Sequence, residues 1–283
     1  MPYSRVVPDI PAATIPLDRW RAWRRSVQPP LAPLAGARAL AGFVVCFLLP
    51  VAVHHASRLV PGAAGHPLLL TSLTTTAVTL VYLVSVRMLE WRRVYELGLR
   101  PLPRELGIGL GLGVLACIGS AVAILLLARL GHAGEPPDAD NVEAALQAFV
   151  FSRQAAVIEE IAFRGLLLRW LLGRCSPDVA VAIQALVFGV VHLPQGGLPH
   201  VLLATAMGLV FGYAFVWRRS LWTPMGVHFL WDLYALLPNA VATSEAAALA
   251  HYLWIVVVAS VLAWFTRGWS VAPTQPAAAA AGS

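Results

Sequence analysis

The sequence predicts an all-α polytopic membrane protein with about eight transmembrane helices and both termini cytoplasmic. Three observations carry this. Of 283 residues, 59% are hydrophobic and only 12% charged, where a soluble domain is about one quarter charged; mean hydropathy is +0.73. The apolar residues fall into eight segments, at about 38–55, 67–87, 106–129, 147–172, 178–194, 199–217, 221–238 and 247–266. Each is near the roughly 20 residues that cross a hydrocarbon core. The loops between them are alternately rich and poor in arginine, the only basic residue type among the 20 basic positions.

Residues 1–37 form a polar, proline-rich N-terminal segment with no evident cleavable signal peptide. Within it, Leu17 to Arg25 interleaves tryptophan and arginine, as suits a membrane interface. Six arginines lie in the N-terminal region through Arg38, one (Arg58) in the next loop, and five in loop 87–105. Loop 129–146 has Arg129 and four acids. Arg169 and Arg174 follow the fourth segment, none lies at 194–199, Arg218 and Arg219 follow the sixth, and Arg267 follows the eighth. The arginine-rich loops belong on the cytoplasmic side, so the net charge of +6 marks topology and not nucleic-acid binding. Residues 38–145 are the N-terminal membrane helices, 146–266 the chemistry-bearing core, and 267–283 a disordered Pro/Ala-rich tail. The glycines at 107, 109, 111 and 113, and Gly208 with Gly212, suit close helix packing. Cys46, Cys117 and Cys175 are scattered, with no disulfide or zinc-type spacing.

Polar groups inside apolar segments are the exceptions that need a reason. Each charge at mid-helix costs roughly 2.5–3.5 kcal/mol to insert. The fourth segment carries Glu159, Glu160 and Arg164. At about 100° per residue, Glu160 and Arg164 are one turn apart and can pair, while Glu159 points elsewhere. One acid is neutralised and one is left for chemistry. The fifth segment places Gln184, Phe188 and His192 at successive turns of one face, and Phe188 lowers the polarity beside the imidazole. The seventh places His228 and Asp232 on one face, where the carboxylate can orient the ring. His54, His55, His66 and His251 read as interface residues, and one Glu–Arg pair alone reads as structural glue. The whole set, on three spans, marks function. Loop ends place Glu159 near mid-membrane, His228 toward the cytoplasm and His192 toward the outside. They meet only if the fifth segment is tilted, displaced or broken near Pro194.

Glu159-Glu160-x-x-x-Arg164, then Phe188-x-x-x-His192, then His228-x-x-x-Asp232, in that order on separate helices, resembles the CPBP family. That family includes the type II CAAX prenyl endopeptidases and the bacterial Abi-type proteins. The resemblance covers about 150–240; the earlier residues match only as membrane helices. It implies an eight-helix bundle with a cavity open to water. It implies that Glu159 is the general base that activates water, assisted by His192, and that His228 and Asp232 bind the oxyanion or orient the carbonyl. Glu160 and Arg164 would hold their helix in place, with Phe188 and Gln184 supporting. Type II members usually carry Asn where this chain has Asp232. An ionised Asp cannot donate to an oxyanion and a protonated one can; alternatively Asp232 orients His228 and the imidazole is the donor.

The chain is therefore expected to be a glutamate-dependent intramembrane endopeptidase. It would cut near the C-terminus or membrane segment of a membrane-attached protein or peptide: a CAAX-like tail, a leader or a C-terminal sorting tail. No cofactor is expected; if zinc were bound, Glu159, His192 and His228 would supply its ligands. The Ala/Arg/Pro-rich, lysine-free composition points to a GC-rich bacterium, and so to a multi-pass protein of the bacterial inner (plasma) membrane, with lipid and a peptide substrate as partners. That composition favours leaders and sorting tails over prenylated tails. Two other classes compete: a non-enzymatic immunity or scaffold protein whose ion pair only fixes packing, and a proton-coupled transporter with Glu159 and His228 as relay groups.

Overall fold

The computed structural model describes residues 103–129, 142–236 and 245–268, with isolated helical positions at 44, 72–73, 76–77 and 79–80. Among the described residues every regular element is helical and none is a strand. The N-terminal segment, the first two apolar segments apart from those positions, and the chain beyond Gly268 lie outside the described residues.

The third to eighth apolar segments correspond to helices. They are α1 (Pro103–Arg129), α2 (Val142–Glu160), a π-helical stretch Ile161–Leu168 continuing into α3 (Arg169–Leu172), α4 (Pro177–Val191), α5 (Leu193–Arg218), α6 (Trp222–Leu236) and α7 (Glu245–Gly268). Three stretches are long and apolar enough to cross a membrane: Pro103–Ala123, Leu193–Arg218 and Leu249–Thr266. Outward-facing Leu115, Ile118 and Leu125 on α1, and Leu253, Val257 and Trp264 on α7, leave those helices apolar on the exposed side. Such a surface is at home in lipid and costly in water.

The fifth and sixth segments differ from their sequence boundaries. α4 has 15 residues and rises about 22 Å, short of the roughly 30 Å hydrocarbon core. It begins at Ser176-Pro177, where proline at the first helical position costs no hydrogen bond. It stops at Val191, and α5 starts two residues later at Leu193. Inside the first turns of α5 the chain bends, with Gly196 at φ −166° and Gly197 at φ 65°. The left-handed φ at 197 suits glycine alone.

Glycines set how closely the helices pack. A Cβ at Gly109 would overlap the Thr223 carbonyl, one at Gly113 would press on Leu230, and one at Gly226 would press on Gly109 and Leu110. α1 and α6 therefore touch backbone to backbone, as small residues permit in membranes. Gly189, Gly208 and Gly212 do the same for α4 and α5, against Thr205, Ala185 and Val181. Gly107 and Gly111 face open space, so the run of alternate glycines serves packing at only some positions. Polar braces close the bundle. Glu105, buried on α1, receives Arg218 Nε at 2.8 Å and Nη2 at 2.5 Å from α5 and the Thr223 hydroxyl at 3.2 Å from α6. Trp254 on α7 donates to the Ala116 carbonyl at 3.0 Å.

Candidate active site

Glu159 and Glu160 are the last residues of α2, and the backbone widens into the π-helical stretch directly after them. Seven of its eight residues, Arg164 included, are buried. A helix buried all round belongs inside a bundle, and wide turns of this kind recur at functional positions. Arg164 Nη1 donates to Glu160 Oε1 at 2.9 Å, with both side chains fully buried. Its Nη2 donates to the Gly208 carbonyl at 3.3 Å. The guanidinium lies 4.6 Å from the Phe188 ring centroid and 4.9 Å from that of Phe211. Charge pairing, a carbonyl and aromatic faces together offset its removal from water.

The Glu160 oxygen that takes Arg164 also faces His228 Nδ1, at 2.8 Å. A carboxylate already paired with arginine only accepts, so Nδ1 carries a proton and donates. Asp232 Oδ2 lies 3.3 Å from Nε2, at the other side of the ring. Phe211 stacks on the imidazole, with centroids 4.5 Å apart and planes 15° apart. His228 is thus gripped at one nitrogen and one face.

His192 stands at the junction of α4 and α5, where its Nδ1 lies 2.6 Å from the Phe188 carbonyl. A carbonyl cannot donate, so Nδ1 carries the proton here too, and Nε2 points away from the backbone. That Nε2 lies 3.7 Å from Glu159 Oε2, and His228 Nε2 lies 3.9 Å from the same oxygen. Glu159, His192 and His228 therefore converge from three separate helical segments. The chain bends just beyond His192, at Gly196 and Gly197, close to the break near Pro194 that the sequence requires for this convergence. Glu159 Oε2 accepts no hydrogen bond from a described residue, yet the Glu159 and Asp232 side chains keep 24% and 21% of their surface open. A carboxylate without a donor, beside two imidazoles and an opening, is the arrangement that can take a proton from a bound water.

Gln184 is fully buried and neither amide atom finds a partner among the described residues. It borders Gly212 and lies a turn before Phe188, with no hydrogen bond to the carboxylates or imidazoles. The sequence reading missed Phe211, which caps His228, and His200, whose ring stacks on His192 with centroids 5.8 Å apart. A polar residue eight positions after His192, in an otherwise apolar helix, was the available signal for His200. Among the described residues no group of three or more His, Cys, Asp or Glu is placed to hold a metal ion. The two imidazoles do present Nε2 with Nδ1 tied back, as histidine ligands do, but His228 Nε2 lies nearer Asp232 than Glu159.

Residues 141–234 match the family described as type II CAAX prenyl endopeptidase Rce1-like. The stretch contains all three motifs. The chain is also similar to a Bacillus subtilis (strain 168) protein named "Putative membrane peptidase YdiL", at 29% identity over 92 residues. That alignment covers 32% of this chain and 36% of the relative.

Proposed function

We propose, from the match of residues 141–234 to the Rce1-like family of type II CAAX prenyl endopeptidases, that this membrane protein is a glutamate-dependent intramembrane endopeptidase. It hydrolyses a peptide bond near the C-terminus or membrane segment of a membrane-attached protein or peptide. The observation that carries the reading is the meeting of Glu159 with His192 and His228 across three helical segments. A water at the open edge of the Glu159 carboxylate, beside His192, gives its proton to the carboxylate. The resulting hydroxide adds to the substrate carbonyl. The oxyanion that forms meets His228, whose ring donates at Nδ1 to Glu160 and, when protonated on both nitrogens, at Nε2 to the oxyanion. Collapse breaks the C–N bond, and the Glu159 carboxylic acid returns the proton to the leaving amine. Asp232 Oδ2, 3.3 Å from His228 Nε2, steers that nitrogen.

In the proposed topology eight helices cross a bacterial inner membrane and both termini are cytoplasmic. Substrates are sorting tails or leader peptides ahead of prenylated tails. The mechanism runs without metal; if zinc served, Glu159, His192 and His228 would hold it and it would polarise the water. The rival reading is a scaffold whose Glu160–Arg164 pair fixes packing and nothing more. Comparing Glu159→Ala with Arg164→Ala separates the two. A protease loses cleavage in the first while keeping its thermal stability. A scaffold is indifferent to the first and unfolds in the second.

A further inference from the structure

His192 is followed at once by a bend that brings the chain back over it. After Leu193 and Pro194 the backbone folds at Gly196 and Gly197 and returns through Pro199 to His200. The return lays the His200 ring against that of His192, with planes only 24° apart. Two features hold it there. A Cβ at Gly196 would stand 2.9 Å from the His200 Cβ, so the bend closes this tightly only with glycine. The Tyr252 hydroxyl, on α7, donates to the Pro199 carbonyl at 2.6 Å. His192 otherwise has one hydrogen bond, from Nδ1, and the Phe188 ring at 4.5 Å. An imidazole tied at one atom can still swing about its Cβ–Cγ bond, and a second ring against it restricts that swing.

We propose that His200 is a positioning residue for the hydrolytic site. Its ring, presented by the Gly196–Gly197 bend and braced by Tyr252, keeps His192 Nε2 aimed at Glu159. The assignment rests on the hydrolase reading, because the aim matters only if His192 works with Glu159. It also gives α7, which contributes none of the three motifs, a part in the site.

The test uses the full chain in detergent micelles. His200→Leu removes the ring and keeps apolar bulk; His200→Phe restores a ring. Tyr252→Phe removes the brace alone and serves if His200→Leu does not fold. Two quantities are read. One is the ring carbon–proton NMR correlation of His192 in histidine-labelled protein, assigned by its absence from His192→Ala. The other is turnover of an internally quenched peptide with a farnesylated C-terminal tail. In His200→Leu the His192 signal shifts and kcat falls about 3- to 10-fold with KM unchanged, the size set by losing one aromatic pair. In His200→Phe both recover, and in Tyr252→Phe the same shift appears in smaller degree. An unmoved His192 signal in His200→Leu and Tyr252→Phe overturns the proposal, as does unchanged kcat where the wild type cleaves. A wild type that leaves this peptide intact counts against a prenylated substrate and not against the stack, which the His192 signal then decides alone.

Discussion

Glu160 Oε1 accepts hydrogen bonds from two helices at once: from Arg164 at 2.9 Å and from His228 Nδ1 at 2.8 Å. One buried oxygen thus fixes both the arginine beneath the site and the imidazole within it. Glu160→Ala leaves Arg164 buried without its counter-charge, and breaking such a pair costs about 3–5 kcal/mol. Thermal unfolding in detergent is expected to show a sharp loss of stability, accompanied by loss of cleavage. A variant as stable as wild type would mean that Arg164 is neutralised elsewhere.

Asp232 stands where type II members usually carry asparagine. Its Oδ2 faces His228 Nε2, and an asparagine can offer an oxygen there and an amide donor to an oxyanion. Asp232→Asn is expected to keep cleavage within about tenfold of wild type, while Asp232→Leu loses about 10²–10³-fold, the size of one oxyanion contact. Equal loss in both variants would show that the negative charge itself is required.

The helical core was legible because charge is scarce and segment lengths match a bilayer. The motif residues were legible because each stands out against an apolar background. What the sequence concealed was geometry set by contacts between segments. Spacing on a regular helix pairs Glu160 with Arg164, and that holds. It does not show that the helix widens at Ile161 or that Glu160 reaches His228, since both depend on what packs from α5 and α6. The apolar pattern runs unbroken to Pro194 and so does not show where the chain bends; in the fold α4 ends at Val191 and the bend lies at Gly196 and Gly197. Phe211 looked like any core aromatic; only its stacking on His228 distinguishes it.

The glycines of α1 divide into contact and non-contact positions, and paired substitutions separate them. Gly109→Ala pushes a methyl into the Thr223 backbone and Gly107→Ala meets nothing within 4 Å. The first is expected to destabilise by about 1–3 kcal/mol. The second gains up to about 1 kcal/mol from better helix propensity. Chemical or thermal unfolding of the two variants checks the sign of each. Two variants of equal stability would contradict the close approach of α1 and α6.

The proposed chemistry uses carboxylate and imidazole groups without metal. Cleavage is therefore expected to survive dialysis against a strong chelator, with substoichiometric zinc by elemental analysis of active protein. Activity lost to the chelator and restored by zinc would reassign Glu159, His192 and His228 as ligands.

The most direct test of the account is whether the open carboxylate does the work. Membrane-protein ends can be compared by mass spectrometry in cells that lack this protein, carry it, or carry Glu159→Ala at equal membrane abundance and thermal stability. The account predicts that Glu159→Ala accumulates the same uncleaved precursors as the deletion, with turnover lowered at least about 10²–10⁴-fold, the range set by a general base. Cleaved ends as abundant with Glu159→Ala as with the wild type would contradict it.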